Sequence, residues 1–194
     1  MFQKLNITVE GQTPLLMCSP QAMLIPEDDK PTTKKKKLTR EQEAELRAYR
    51  GEDGFLVFPA VAFRSALLAG ATAYKVPKSR KSLQGFIAHV RAQPEFAPVL
   101  TPKGKAIKDY VIDSRRGVNR TTKGGIVVHR PKIEEWRCTF TLVCDPDLIP
   151  VDDVVEQFTT LLNDAGNRAG VGAFRPGCNG WFGTFKVVSI ALAK

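Results

Sequence analysis

The sequence predicts one α+β domain whose core strands and helices follow one another in the order βαββαβ. Three observations lead to this prediction. Apolar residues alternate with polar ones near the N-terminus and again over residues 136–144. Two segments have the composition or the apolar stripe of buried helices. The chain has 194 residues, which is enough to bury one substantial core.

The first strand is predicted over residues 2–9, where Leu5, Ile7 and Val9 alternate with polar side chains. Prolines then interrupt the pattern, and a run of lysines occupies residues 34–37. Apolar residues are sparse beyond this point. We therefore expect residues 17–54 to form an exposed insertion, with the lysine run either solvated or in contact with a polyanion.

Within this insertion a short helix is predicted to begin at Thr39. Thr39 and Gln42 fit the spacing of a capping box, and Glu43 and Arg47 fit an i,i+4 ion pair.

The first core helix is predicted after Pro59, in the alanine-rich sequence AVAFRSALLAGATAY. Arg64 interrupts its first turns. An arginine at this place either extends along the helix to reach solvent or binds an anion near the helix N-terminus. Residues 75–105 form a second predicted insertion, with an amphipathic helix over residues 83–90. His89 lies on that helix and is interpreted as a surface or packing histidine.

A basic hairpin is predicted at about residues 110–136, after a strand candidate that runs from Lys105 to Asp113. The segment SRRGVNRTTKGGIVVHRP has turn-forming and cationic residues but too few apolar ones to be buried. Between Lys75 and Arg137 there are 15 basic and 5 acidic residues, a surplus of 10, whereas the whole chain carries a net charge of +9. The hairpin therefore supplies candidate phosphate contacts from Arg115, Arg116, Arg120, Lys123, His129 and Arg130.

The clearest strand follows over residues 136–144, and Asp152 is expected to cap a helix that ends near Gly166. Residues 182–192 are predicted to be the last strand. Without its insertions, this order of elements is the plan of a modified ferredoxin-like, or RRM-like, fold with a projecting basic hairpin.

Residues 170–183, with the sequence GVGAFRPGCNGWFG, contain five glycines between the second core helix and the last strand. Glycine permits positive φ angles and close backbone approach, and successive peptide N–H groups can form an anion-binding concavity. We expect Gly172, Phe174, Arg175 and Gly180 to contact a phosphodiester backbone or its bases. The alternative is a tight loop between a helix and a strand.

The composition argues against several classes of protein. A pI near 9.5 favours a polyanionic partner. The four cysteines form no CxxC pair, so neither a metal site nor a disulfide framework nor a cofactor is predicted, and Cys138 and Cys144 are expected to be core thiols. The sequence contains no membrane span and begins without the apolar core of a secretory signal, so a cytoplasmic protein without a membrane partner is expected.

Three of these features resemble the RAMP superfamily, the repeat-associated proteins of CRISPR effector complexes. AGVGAFRPGCNGWFGTFKV resembles the family's glycine-rich loop, and FPAVAFRSALLAGA resembles its proline-led first helix, with Arg64 where a Lys or Arg often touches RNA. The basic hairpin is similar to the thumb of the backbone subunits that polymerise along guide RNA. The resemblance implies a role in antiviral defence, with copies of this chain or other effector subunits as partners.

The predicted function is sequence-independent binding of single-stranded nucleic acid, with guide RNA expected and DNA as the alternative. No catalytic residue is assigned. A metal-independent ribonuclease that processes guide RNA is a second hypothesis, for which His129 is the better candidate of the two histidines. Target cleavage by Asp28 or Asp29 is a minor possibility suggested by the resemblance. A phage-encoded mimic that blocks effector assembly is a further alternative.

Overall fold

The computed structural model of the chain is a mixed α+β structure with antiparallel sheets. It describes residues 2–23, 38–76, 79–118, 123–145 and 153–193. The α+β class predicted from the sequence is confirmed.

In this part of the chain, six strands form the main sheet, and every pairing in it is antiparallel. β8 and β1 lie at its centre and β9 at one edge. On the other side of β8, β4 pairs with one end of it and β5 with the other end, and β3 pairs with β5. The strands are β1 (Gln3–Gly11), β3 (Val57–Pro59), β4 (Arg91–Gln93), β5 (Phe96–Leu100), β8 (Arg137–Cys144) and β9 (Phe185–Leu192).

A second sheet of three described strands contains the basic hairpin. The hairpin strands are β6 (Val111–Val118) and β7 (Gly125–Ile133), and the short strand β2 (Leu15–Leu16) pairs with the base of β7. Among the described strands, β6 and β7 pair with each other and with β2 and with no strand of the main sheet. The hairpin predicted at about residues 110–136 therefore lies in a sheet of its own.

Four α-helices complete the described part: α1 (Arg40–Glu45), α2 (Ala60–Gly70), α3 (Gln84–Ile87) and α4 (Val154–Arg168). Helices α2 and α4 pack together on one face of the main sheet. Their approach is close, since a Cβ atom at Gly70 would lie 2.9 Å from the Cβ atom of Ala165. Between helices and sheet, the ring of Phe63 stacks on that of Phe140 with centroids 4.6 Å apart.

The opposite face of the main sheet is open and polar. Thr8 and Thr139 form a cross-strand hydroxyl pair at 3.1 Å, Thr141 donates to the Asn6 side chain at 2.8 Å, and an Arg137–Glu10 ion pair lies at one end. In the described strands β1 and β8, this face carries no aromatic side chain. The usual RRM site, where aromatic residues of the central strands stack on bases, is therefore missing from these strands.

Several local predictions are confirmed. Thr39 and Gln42 form both hydrogen bonds of the capping box, and Glu43 pairs with Arg47 at 2.8 Å. Cys138 and Cys144 are buried thiols on β8, as the alternating pattern indicated. Burial raises the pKa of both thiols, because the charged thiolate loses its hydration in the core.

Other local predictions need correction. The helix predicted over residues 83–90 is only the single turn α3, and the strand predicted from Lys105 to Asp113 begins at Val111. Helix α4 is capped by the side chain of Asp153, not Asp152, and continues to Arg168. Helix α1 lies against β7 with Ala44 buried, so this part of the predicted insertion is not fully exposed.

Candidate nucleic-acid interface

The glycine-rich segment, residues 170–183, folds into a compact loop held together by its own backbone. The Val171 N–H donates to the Gly183 carbonyl at 2.9 Å, and the Phe182 N–H donates to the Phe174 carbonyl at 3.0 Å. The loop is also bound to the region of β2, where the Ala173 N–H donates to the Leu16 carbonyl at 2.9 Å. The segment is therefore fixed to the base of the hairpin sheet.

Two of the predicted site glycines lie against the chain's own backbone. A Cβ atom at Gly180 would lie 1.8 Å from the Phe174 carbonyl oxygen, and one at Gly172 would lie 2.5 Å from the Leu16 carbonyl oxygen. Gly172 also has a φ of +79°, in the left-handed region that favours glycine. The fold of the loop therefore requires glycine at both positions, whether or not a ligand binds there.

Phe174 adopts a left-handed backbone conformation, with a φ of +53°. A bulky residue is rare in this region and is retained only where the surroundings impose it. Here the hydrogen bond from Phe182 and the close approach of Gly180 fix the peptide. The consequence is a half-exposed Phe174 ring that lies beside the arginines of the hairpin.

Arg115 joins the hairpin to this loop. Its guanidinium carbon lies 4.5 Å from the ring centroid of Phe182, 5.7 Å from that of Trp181 and 5.9 Å from that of Phe174. Its Nε atom is 2.7 Å from the Asp113 carboxylate on the same face of β6. Arg115 is thus held in a cation–π cluster, which we call the Arg115 cluster: Arg115, Phe174, Trp181 and Phe182.

The two neighbouring aromatic residues of this cluster differ in exposure. The Phe182 side chain is 5% exposed and is part of the packed loop, whereas the Trp181 side chain is 64% exposed. The two ring planes are tilted by 32°, with centroids 5.8 Å apart. Trp181 therefore offers a free ring face beside a fixed cation.

Arg130 supplies a second guanidinium next to the same loop. Its Cζ atom lies 5.6 Å from the Phe174 centroid, and in strand register it lies opposite Asp113. Its Nε atom is buried and has no hydrogen-bond partner in the described structure. A buried donor without a partner costs stability, whereas the positive charge of the guanidinium group favours an anion next to this loop.

An open groove of about 590 Å³ lies between the loop, the hairpin and the start of α2. We call it the loop groove. The Tyr49 ring forms part of its wall, and partial burial raises the pKa of this phenol above its ordinary value. The lining residues are Cys18, Tyr49, Phe58, Pro59, Ala62, Arg130, Gly172, Ala173, Phe174, Arg175 and Cys178.

The remaining cationic candidates are placed differently. Arg175 lines the loop groove and donates from Nη1 to the Gly172 carbonyl at 3.1 Å. Arg116 is exposed on the opposite face of β6 from Arg115, and Lys123 is exposed two residues before β7 with a φ of +58°. Arg120 lies outside the described residues, as do Asp28 and Asp29.

Arg64 does not lie in the loop groove. Its Nε donates to the Val90 carbonyl at 2.6 Å and its Nη2 donates to the Ala88 carbonyl at 2.5 Å. The side chain therefore fixes the segment between α3 and β4. It lines a separate groove on another side of α2.

His129 lies on the face of the hairpin that packs against α1. Its Nδ1 atom is 2.7 Å from Ser114 Oγ, and its Nε2 atom is 3.9 Å from a carboxylate oxygen of Glu43. Because successive side chains of a strand point to opposite faces, His129 and Arg115 lie on opposite faces of the hairpin. The structure thus separates His129 from the Arg115 cluster.

Sequence reasoning did not assign Phe182 or Asp113 to the site. Asp113 was placed at the end of a strand, and Phe182 was interpreted as the first residue of the last strand, which in the structure begins only at Phe185. The available signal was the two-residue spacing of Asp113 and Arg115, which places both side chains on one face if the strand predicted to end at Asp113 continues. The long-range contact with Phe182 had no local signal.

The sequence matches no protein-family model and no curated protein. None of the helices in the described residues is long and apolar enough to cross a membrane. Within those same residues, no group of three or more His, Cys, Asp or Glu side chains could hold a metal ion.

Proposed function

We propose that this protein binds single-stranded nucleic acid without sequence specificity, and that RNA is its principal ligand. The ligand lies along the loop groove and the Arg115 cluster. Bases stack on the exposed ring of Trp181, while the guanidinium groups of Arg130 and Arg175 contact phosphates.

The observation that carries this proposal is the meeting of the hairpin and the glycine-rich segment at the Arg115 cluster. A positively charged groove combined with aromatic platforms is the general form of sites that bind single strands. Arg115, Arg130 and Arg175 supply positive charge to this surface, and among the described residues one acid, Asp113, pairs with Arg115. The guanidinium group of Arg130 lines the loop groove beside the Phe174 ring and supplies positive charge there.

A single strand fits this surface better than a duplex. The free face of Trp181 can stack only on a base that has left its own stack, and every base has such a face. Neither an aromatic ring nor a guanidinium group over phosphate reads the identity of a base, and we therefore expect weak sequence preference.

We further propose that the core is ferredoxin-like and related to the RAMP proteins. In the main sheet β8 lies between β1 and β5, so β1, α2 and β5 form a split βαβ unit, which supports this relationship. By this proposal the protein acts in the cytoplasm as a backbone subunit of an effector complex. Copies of it polymerise along a guide RNA or assemble with other subunits.

The test is the salt dependence of binding to a mixed-sequence RNA, measured by fluorescence anisotropy. For single strands the logarithm of the binding constant falls by about 0.7 per phosphate contact for each tenfold rise in salt. We expect Arg130→Ala to lower both the affinity and the slope. The matched control is Lys4→Ala, which removes one exposed charge from the open sheet face and should change neither. Binding that is independent of salt, or equal effects of the two variants, would refute the proposal.

A metal-independent ribonuclease is the second candidate, and one contact favours it. Such an enzyme needs a base that takes the proton of the attacking ribose 2′-hydroxyl while the 5′-oxygen leaves, and His129, oriented by the 2.7 Å contact of its Nδ1 atom with Ser114 Oγ, is the side chain that could serve as this base. His129 lies on the α1 side of the hairpin, away from the Arg115 cluster. This position favours nucleic-acid binding over cleavage as the function of the protein.

Incubation of labelled RNA with the protein in EDTA distinguishes the two candidates. If the site is a nuclease, 2′,3′-cyclic phosphate products form and disappear with His129→Ala. If the protein only binds RNA, the RNA remains intact, and the unmodified protein and His129→Ala bind it equally. His129→Gln serves as a control because it keeps a hydrogen-bonding side chain at this position.

A further inference from the structure

A second open groove, of about 570 Å³, borders the same helix as the loop groove. Pro59 and Ala62 line the loop groove, whereas Val61 and Arg64 line the second one. The two grooves therefore lie on different sides of the first turns of α2. We call the second one the Phe2 groove, after the aromatic residue in its wall.

The Phe2 groove combines an aromatic ring with cationic side chains. The Phe2 side chain is 60% exposed, and the guanidinium carbon of Arg91 lies 5.7 Å from its ring centroid. His89 is exposed just before β4, and Arg91 is exposed as the first residue of that strand. An exposed ring with a guanidinium group over it is suited to stacking a nucleobase, and the neighbouring cation is suited to its phosphate.

Arg64 fixes this arrangement. Its two hydrogen bonds to the carbonyls of Ala88 and Val90 hold the chain on both sides of His89. Of the five guanidinium donors, those on Nη1 have no partner in the described structure. Arg64 therefore presents a cation whose position is set before any ligand binds, which lowers the entropic cost of binding.

Asp145 also lines this groove, and its carboxylate disfavours a bare polyphosphate. The lining thus has a stacking ring and cations for one phosphate, with one acid beside them. Its volume lies within the range of about 300–1,000 Å³ typical of small-ligand clefts.

We propose that the Phe2 groove binds one nucleotide of the same single strand that occupies the loop groove. The strand crosses the first turn of α2 between the two grooves. This inference rests on the proposed function, because it extends the path of that strand. It assigns ligand contacts to Phe2, Arg64, His89 and Arg91.

The test measures the affinity of oligouridines of about 3 to 15 nucleotides for the intact protein and its variants. For the unmodified chain, affinity should rise with length and show an added gain once the strand reaches both grooves. Phe2→Ala and Arg91→Ala should remove that gain, a loss of about 5- to 150-fold for the long strands, while short strands bind as before. Phe55→Ala, which removes another exposed ring that lines neither groove, is the matched control for Phe2→Ala.

The outcomes separate this inference from the proposed function. If long and short strands bind Phe2→Ala and Arg91→Ala as tightly as the unmodified protein, the Phe2 groove is not part of the path and the inference fails alone. If no oligouridine binds the unmodified protein at any length, both proposals fail. Thermal unfolding of each variant verifies that it is folded.

Discussion

The guanidinium carbon of Arg115 lies 4.5 Å from the ring centroid of Phe182, and this contact joins the basic hairpin to the glycine-rich segment. Phe182 is almost fully buried, so the guanidinium group faces a ring that is largely shielded from water. Asp113 holds the other side of Arg115 through a 2.7 Å ion pair. The arginine is therefore a structural bridge as well as a source of positive charge in the candidate interface.

Substituting Arg115→Lys should separate these two roles. Lysine keeps the charge but loses the planar group that stacks on Phe182. We expect the free energy of unfolding, measured by urea denaturation, to fall by about 0.5–2 kcal/mol. The salt slope of RNA binding should change little. Arg116→Lys, on the exposed face of the same strand, is the control. A loss of stability in Arg116→Lys as large as in Arg115→Lys would argue against the bridge.

Trp181→Ala should weaken RNA binding without unfolding the protein. The ring is mostly exposed, so its removal costs little packing, whereas one lost base stack costs about 1–3 kcal/mol of binding free energy. Trp181→Tyr should retain most of the affinity, because it keeps an aromatic face. Anisotropy titrations measure the affinity and thermal unfolding the stability. Equal binding by Trp181→Ala and the unmodified chain would remove Trp181 from the site.

Patterns that depend on neighbouring residues were predicted well from the sequence. The alternation over residues 136–144 gives β8, and the stripe that includes Phe158 and Leu161 gives α4. The capping box at Thr39 and Gln42 was also evident. In each case the signal lies within one turn or one strand, where backbone geometry alone decides which side chains share a face.

Contacts between distant segments were not predictable in this way. The pairing of Leu15 with Ile133 places the hairpin in its own sheet, and a two-residue strand leaves no periodic signal. The carbonyl oxygen beside Gly172 belongs to Leu16, which is remote in sequence. The glycines could therefore be recognised as sites of close approach, but the approaching group could not be identified from the sequence.

Gly180→Ala should destabilise the loop strongly. Its Cβ atom would lie 1.8 Å from the Phe174 carbonyl oxygen, which is backbone and cannot rotate away. We expect a loss of about 3 kcal/mol or more in the free energy of unfolding, together with loss of RNA binding. Gly85→Ala is the matched control, since this glycine lies in α3 with open space around it. That substitution should stabilise the protein by up to about 1 kcal/mol. Similar stabilities for the two variants would contradict the described loop.

The four thiols should fall into two classes in a reaction with a disulfide reagent. Cys18 and Cys178 are exposed and should react quickly, whereas Cys138 and Cys144 should react only after unfolding. Because Cys18 and Cys178 both line the loop groove, saturating RNA should slow their modification. A bound RNA that leaves both rates unchanged would place the ligand elsewhere, and a third fast thiol would contradict the packing of β8.

Tyr110 should make the protein sensitive to alkaline pH. Burial and a 2.7 Å hydrogen bond to Glu45 raise the pKa of this phenol from 10.0 to about 12. Because the pKa of Tyr110 is higher in the folded than in the unfolded state, its neutral phenol stabilises the folded protein fully below pH 10. This contribution to the free energy of unfolding is lost as the pH rises from 10 to about 12. Urea denaturation across this range should show the loss.

Tyr110→Phe should be less stable at neutral pH by about 1 kcal/mol, because the hydrogen bond is gone, but should lose less additional stability above pH 10. The difference between the two proteins isolates Tyr110 from Tyr49 and Tyr74, whose pKa values are also raised. Parallel pH profiles for the two proteins would show that Tyr110 does not make this contact with Glu45.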